Sequence, residues 1–297
     1  MIKTTVIGSY PVVGKDIEAI KIAVEDQINA GIEIISDGQT RKDMISYFSD
    51  HIPGFKVENE KTEIIGKIKP PEETPLVEDL LFAKKLSYGK AELKAIITGP
   101  ITMIFFSELS PDAPYSGFRD LRLYEDISEA LAVEIEIIYK KVGVKYFQVD
   151  EPSFSIGAPI DIGKKFIERI FSDIKGIKSI HVCGNLRKSF KEIVKIENID
   201  VLSFSFKDNI SNFDIVERKI IEDYSKKIGL GCVSTMESRI DSVESIKKII
   251  KKGFETYGQE NIAFIHPDCG LRPFTRDIAF SKLKNMVIAL KEVLSHE

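Results

Sequence analysis

The sequence predicts a single-domain α/β protein, a (β/α)8 TIM barrel, and three observations carry that prediction. Short β-branched runs recur along the 297 residues, each is followed by a longer stretch of helical periodicity, and polar or glycine-rich departures gather where the runs end. Alternation of this kind over such a length is the pattern of a parallel barrel, whose chemistry sits where strands end and βα-loops begin. A doubly wound open sheet is the alternative, but no Gly-x-Gly-x-x-Gly turn follows any run.

In chain order, the strands fall at 3–7 (Thr4-Thr5-Val6-Ile7), 33–36 (Ile34-Ile35), 93–98 (Ile96-Ile97) and 145–149 (Tyr146-Phe147). They continue at 178–182 (Ile180), 200–204 (Val201-Leu202), 228–233 (Ile228, Val233) and 261–265 (Phe264-Ile265). Each is rich in residues that suit a pleated, half-buried surface. Helical spacing occupies 15–30, 121–142, 164–174, 242–254 and 277–294. The stretch 51–75 breaks the alternation with Pro53-Gly54, a short alternating run at 62–68 and Pro70-Pro71. It reads as an inserted hairpin or lid over the barrel mouth, so 1–297 is one catalytic domain. No repeat, low-complexity tract or linker divides the chain.

Apolar content of 43% with 30% charged residues describes a soluble globular chain with material for a sizeable core. A net charge of −4 leaves no basic footprint for nucleic acid. The longest apolar stretch, 93–106, is too short for a bilayer and is broken by Gly99-Pro100, so no membrane partner is expected. The first residues enter a strand pattern without a signal-peptide signature, and three cysteines make no even disulfide framework. A reducing, cytoplasmic location is the expectation.

Two runs stand out chemically: Ser179-Ile180-His181-Val182-Cys183-Gly184 and His266-Pro267-Asp268-Cys269-Gly270. Only four histidines and three cysteines occur in the chain, and here they cluster at the ends of strand patterns. Neutral imidazole and thiolate are the donors that zinc prefers, so His181, Cys183 and Cys269 are the candidate ligands. Cys232, inside Gly231-Cys232-Val233, reads as a small core hydrophobe instead. Every other strand end also carries unusual residues, among them Gly8-Ser9, Asp37-Gly38-Gln39, Gly99-Pro100, Asp150-Glu151-Pro152, Ser205 and 234–238. That convergence predicts an enzyme.

Taken together, these motifs resemble the catalytic half of cobalamin-independent methionine synthase, nearly end to end. Ile7-Gly8-Ser9-Tyr10-Pro11 looks like that family's opening motif, and Asp37-Gly38-Gln39 with Arg41, Asp43-Met44 and Tyr47-Phe48 is similar to its second. Thr98-Gly99-Pro100-Ile101-Thr102 and Gln148-Val149-Asp150-Glu151-Pro152 follow its third and fourth, and the two zinc-ligand motifs complete the set. The resemblance implies a zinc-dependent methyltransferase in which the metal turns homocysteine into its nucleophilic thiolate. It assigns Asp150 to the substrate ammonium and Ile7, Gly8, Ser9 and Gln39 to the amino-acid end. Alternatives drawn from the residues alone are a solvated strand-end pair or a helix N-cap at Asp150-Glu151 and a plain turn at Gly8-Ser9.

The departures from the family pattern matter as much. Where the family's fourth ligand, a Glu, is expected, this chain has Ser205. A hydroxyl is a poor zinc ligand, so three protein ligands and an open position for substrate or water are expected, with Ser205 beside the substrate. The family's proton-donating His is missing near Met236-Glu237-Ser238, which leaves Glu237 as the catalytic candidate, with a surface carboxylate as the alternative. The chain has no Trp to stack on a pterin and no second barrel, which points to a methylated corrinoid protein or a modified pterin as methyl donor. Rival readings are transfer to another thiol such as coenzyme M, a metal-free decarboxylase like that of uroporphyrinogen metabolism, and a non-catalytic corrinoid or methyl-carrier binding protein.

Overall fold

All eight expected runs form strands in the computed structural model, which describes residues 2–59 and 61–295. They are β1 (Lys3–Thr4), β2 (Ile34–Ile35), β5 (Glu92–Thr98), β7 (Tyr146–Asp150), β8 (Ile177–Val182), β9 (Val201–Ser205), β10 (Lys227–Val233) and β11 (Ile262–Pro267). Three more, β3 (Phe55–Glu58), β4 (Lys61–Ile64) and β6 (Glu108–Leu109), make a small separate sheet. The eight pair in parallel in the order β1-β11-β10-β9-β8-β7-β5-β2, and a parallel bridge from Thr5 to Ile34 closes the ring. The Thr5 hydroxyl reinforces that seam by donating to the Ile34 carbonyl at 2.8 Å. The sequence-based expectation of a TIM barrel therefore holds.

Local chemistry sets the helix ends. Asp16–Ala30 stops at Gly31, whose φ of +89° closes the helix in the left-handed region. Leu121–Val142 starts where Asp120 accepts from the Arg122 amide and stops at Gly143, φ +67°. Val243–Tyr257 is capped by Ser242, and Arg276–Ser295 ends the described chain. The helix expected over 164–174 instead spans Ile160–Ile170; Phe171 and Ile174 are buried all the same, in turns that lead into β8. A further helix, Leu76–Ser87, follows the insertion.

The main core lies between the ring of strands and the helices. A second apolar layer plugs the barrel interior with Ile34, Tyr146, Val201 and Phe264, drawn from β2, β7, β9 and β11. These are alternate strands of the ring, as expected when side chains fill a closed barrel in layers. Polar side chains can then gather only above this plug, toward the C-terminal strand ends. The insertion does form a hairpin, with Phe55 opposite Ile64, and it is tied to the segment after β6 by the Ile68 amide, which donates to the Tyr115 hydroxyl at 2.8 Å. Among the described residues no helix is long and apolar enough to cross a membrane.

Candidate metal centre

The three expected ligands converge because β8 and β11, with two strands between them in the ring, both end at the same rim of the barrel. His181 lies on β8, Cys183 one residue beyond that strand, and Cys269 two residues beyond β11. Gly184, at φ +92°, turns the chain immediately after Cys183, a conformation that favours glycine. The donor atoms of the three residues lie within 4.8 Å of one another. Both cysteines are half-buried, while His181 is 2% exposed.

The histidine is prepared as a ligand. Its Nδ1 lies 3.1 Å from the Ser203 carbonyl, which only accepts, so the proton sits on Nδ1 and the Nε2 lone pair faces outward. That Nε2 is buried without a hydrogen-bond partner. An orphaned buried nitrogen is costly unless something binds it, and an imidazole oriented by a carbonyl is the usual arrangement behind a metal. The two thiols interact: hydrogen bonding to Cys269 lowers Cys183, while the same contact and burial push Cys269 well above the usual thiol range. The donor set and the orphaned nitrogen fit zinc. Cys232 is wholly buried and burial pushes its thiol up, which suits an inert core residue.

A cavity of about 370 Å³ opens over the trio, within the range of small-molecule sites. Ile7, Ser9, Gln39 and Asp150 line it together with the three candidate ligands. Asp150 is 6% exposed, and burial pushes its carboxyl above the usual range, partly offset by the hydrogen bond from Gln148 and the charge of Lys94. Gln39 takes a left-handed backbone at φ +45°, and its amide packs on the Gly8 backbone so closely that a Cβ there would lie 2.3 Å from Oε1. A larger cavity of about 580 Å³ sits at the opposite end, among the strand starts of Lys3, Glu92 and Lys145, away from the site.

Three of the expected site residues stand outside the cavity. Gly8 provides the space for Gln39 and does not line it. Ser205 is buried, and its oxygen accepts from the Gly184 amide and from Asn209 Nδ2, both at 3.0 Å. Both acceptor sites of the hydroxyl are thereby used, which leaves none for a metal and turns Ser205 into a brace for the loop after Cys183. Glu237 is 63% exposed at its side chain and pairs with Arg239 at 3.4 Å. The expectation that Glu237 donates a proton in catalysis does not match that exposed position outside the cavity.

A family model described as the catalytic domain of the cobalamin-independent synthase matches residues 13–292. The methionine synthase of Methanocaldococcus jannaschii is 37% identical over 97% of this chain and 98% of its own. That of Methanothermobacter thermautotrophicus is 35% identical over 96% and 98%. This chain belongs to the cobalamin-independent methionine synthase family. Among solved structures, a B12-independent methionine synthase from a Shewanella species superposes with a TM-score of 0.83 over 99% of both chains at 20% identity. A methyltransferase from Methanosarcina mazei gives 0.72 over 99% of this chain and 94% of its own, at 14% identity. At such identities these two likenesses concern the fold.

Within this methionine synthase fold, sequence reasoning assigned no role to several groups that the structure brings to the site. Arg272 lines the cavity and donates to the carbonyls of Gln39, at 3.0 Å, and Lys42, at 2.5 Å, so it ties the β2 loop to the Cys269 loop. Asp268 is buried and accepts from the amides of Phe206, Lys207 and Asp208, which anchors the start of the Cys269 loop to the β9 loop. His266 is buried below His181, with ring centroids 6.2 Å apart, and burial pushes it down to about 3, so it stays neutral. The signal for one more, Lys94, was open to view: a lone charge inside an otherwise apolar strand run.

Proposed function

We propose that this chain is a zinc-dependent methyltransferase that moves a methyl group onto the thiol of homocysteine to form methionine. One observation carries the reading: a buried carboxylate, Asp150, shares a cavity with the His181, Cys183 and Cys269 donors. Homocysteine has an ammonium at one end and a thiol at the other, and this cavity offers a group for each. His181, Cys183 and Cys269 would hold zinc, which when bound favours the thiolate form of a thiol near neutral pH. Asp150 binds the ammonium, while Ile7, Ser9 and Gln39 face the amino-acid end. With Ser205 engaged elsewhere, three protein ligands leave a position for the substrate sulfur.

The methyl group arrives at the open C-terminal face from a methylated corrinoid protein or a modified pterin, a reading supported by the lack of Trp for stacking. Coenzyme M fits less well, because a thiol without an amine gives Asp150 no charged partner on its cavity side. The orphaned Nε2 of His181 argues against a degraded, merely binding site. Three unpaired thiols suit work in a reducing cytoplasm.

The test uses zinc-loaded protein, methylcobalamin as donor and two thiols, homocysteine and coenzyme M. Removing one partner of a partly desolvated charge pair costs about 2–4 kcal/mol. Asp150→Asn should therefore lower kcat/KM for homocysteine by about 30- to 1,000-fold, with zinc content intact. Equal loss with both thiols would make Asp150 structural. Turnover of coenzyme M alone would overturn the homocysteine reading.

A further inference from the structure

Beneath the cavity the barrel holds a buried cation that the ligand trio does not explain. Lys94, on β5, is 2% exposed, and its ammonium donates to the Val6 carbonyl and to Gln148 Oε1, each at 2.5 Å. Gln148, on β7, is fully buried, and its amide nitrogen donates to the Ile7 carbonyl at 2.7 Å and to Asp150 Oδ1 at 2.6 Å. An ammonium only donates, so it requires the amide oxygen of Gln148 on its own side. The amide nitrogen is thereby turned toward Asp150. Flipped the other way, Gln148 would set an oxygen against the carboxylate. The same two side chains hold the carbonyls of Val6 and Ile7, the segment that leads directly to Ser9.

A charge in this position is expensive. Burial pushes the Lys94 ammonium well down from its ordinary value, and the Asp150 charge opposes that shift. A methionine of similar length would fill the space at no such cost. The apolar plug of Ile34, Tyr146, Val201 and Phe264 needs no ion above it. What the ion does supply is direction: one donor fixes two walls of the cavity together.

We propose that Lys94, acting through Gln148, is a positioning residue that holds Asp150 and the Ile7–Ser9 segment in the geometry that receives the amino-acid end of the substrate. This rests on the homocysteine reading above. It differs from a general stabilising role because its effect should fall mainly on a substrate that carries an amine.

The experiment compares homocysteine with 4-mercaptobutyrate, the same thiol without its amino group, by turnover and by calorimetric binding to zinc-loaded protein. Lys94→Met should raise KM and Kd for homocysteine by about 10- to 100-fold, with kcat changed far less and zinc content unchanged. Binding of 4-mercaptobutyrate should change less than about threefold. Gln148→Met, which removes no charge, should reproduce the pattern and stands in if Lys94→Met does not fold. Added to Asp150→Asn, Lys94→Met should have little further effect, since both act on the same contact. Equal weakening of both thiols, or full additivity with Asp150→Asn, would overturn the proposal. Wild-type protein with no preference for homocysteine would overturn the substrate reading itself, and it would do so before any variant is made.

Discussion

Replacing Ser205 by alanine separates a metal ligand from a loop brace. The hydroxyl accepts two hydrogen bonds of 3.0 Å, from the Gly184 amide and from Asn209. Both donors belong to half-buried residues, so water reaches them partly once the oxygen is gone. Unpaired buried donors cost about 1–3 kcal/mol each, and the low end applies here, giving about 2–3 kcal/mol in total. For a chain of this size that corresponds to a fall in Tm of roughly 3–5 °C. Zinc affinity is a different matter. Since no donor bond to the metal is lost, it should weaken by less than about tenfold, through looser placement of Cys183 alone. Calorimetry gives the Tm, and competition with a chromophoric chelator gives the affinity. A loss of zinc affinity of about 100-fold or more, with Tm unmoved, would show that Ser205 binds the metal and that its hydrogen bonds have been misread.

Two further outcomes follow from the same geometry. Cys183→Ser and Cys269→Ser should each strip a stoichiometric zinc while leaving circular dichroism unchanged, whereas Cys232→Ser should keep the metal and lose stability, because Cys232 is sealed in the core; metal retained in both of the first two variants would sink the assignment. His51 Nε2 lies 3.0 Å from Glu134 Oε2, and although burial lowers its pKa, the hydrogen bond and charge of Glu134 raise it overall. A folded pKa above the unfolded value means stability that is fully present below about pH 6.5 and lost as pH rises through the folded value. The stability gap between wild type and His51→Gln, from denaturant melts, should therefore be widest in mild acid, about 1.5–3 kcal/mol, and shrink toward alkaline pH; a gap that grows with pH would refute the pairing.

How far the sequence reached depended on the range of the interaction being read. Strand and helix periods are local, so the eight strand runs and the helix Leu121–Val142 could be placed from residues that are near neighbours in the chain. The ligand trio was legible for a related reason: His181, Cys183 and Cys269 are rare residue types at strand ends, and a parallel barrel brings all such ends to one rim. The tertiary structure alone decided what each polar side chain touches there. Ser205 is spent on Gly184 and Asn209, and Glu237 turns outward to Arg239, neither of which follows from spacing. Lys94 meets a carbonyl 88 residues away and Gln148 one 141 residues away. Such contacts depend on strand register and on the single Thr5–Ile34 bridge that closes the ring. One residue of register exchanges the faces of a strand, so partners across a barrel exist only once the whole ring has closed.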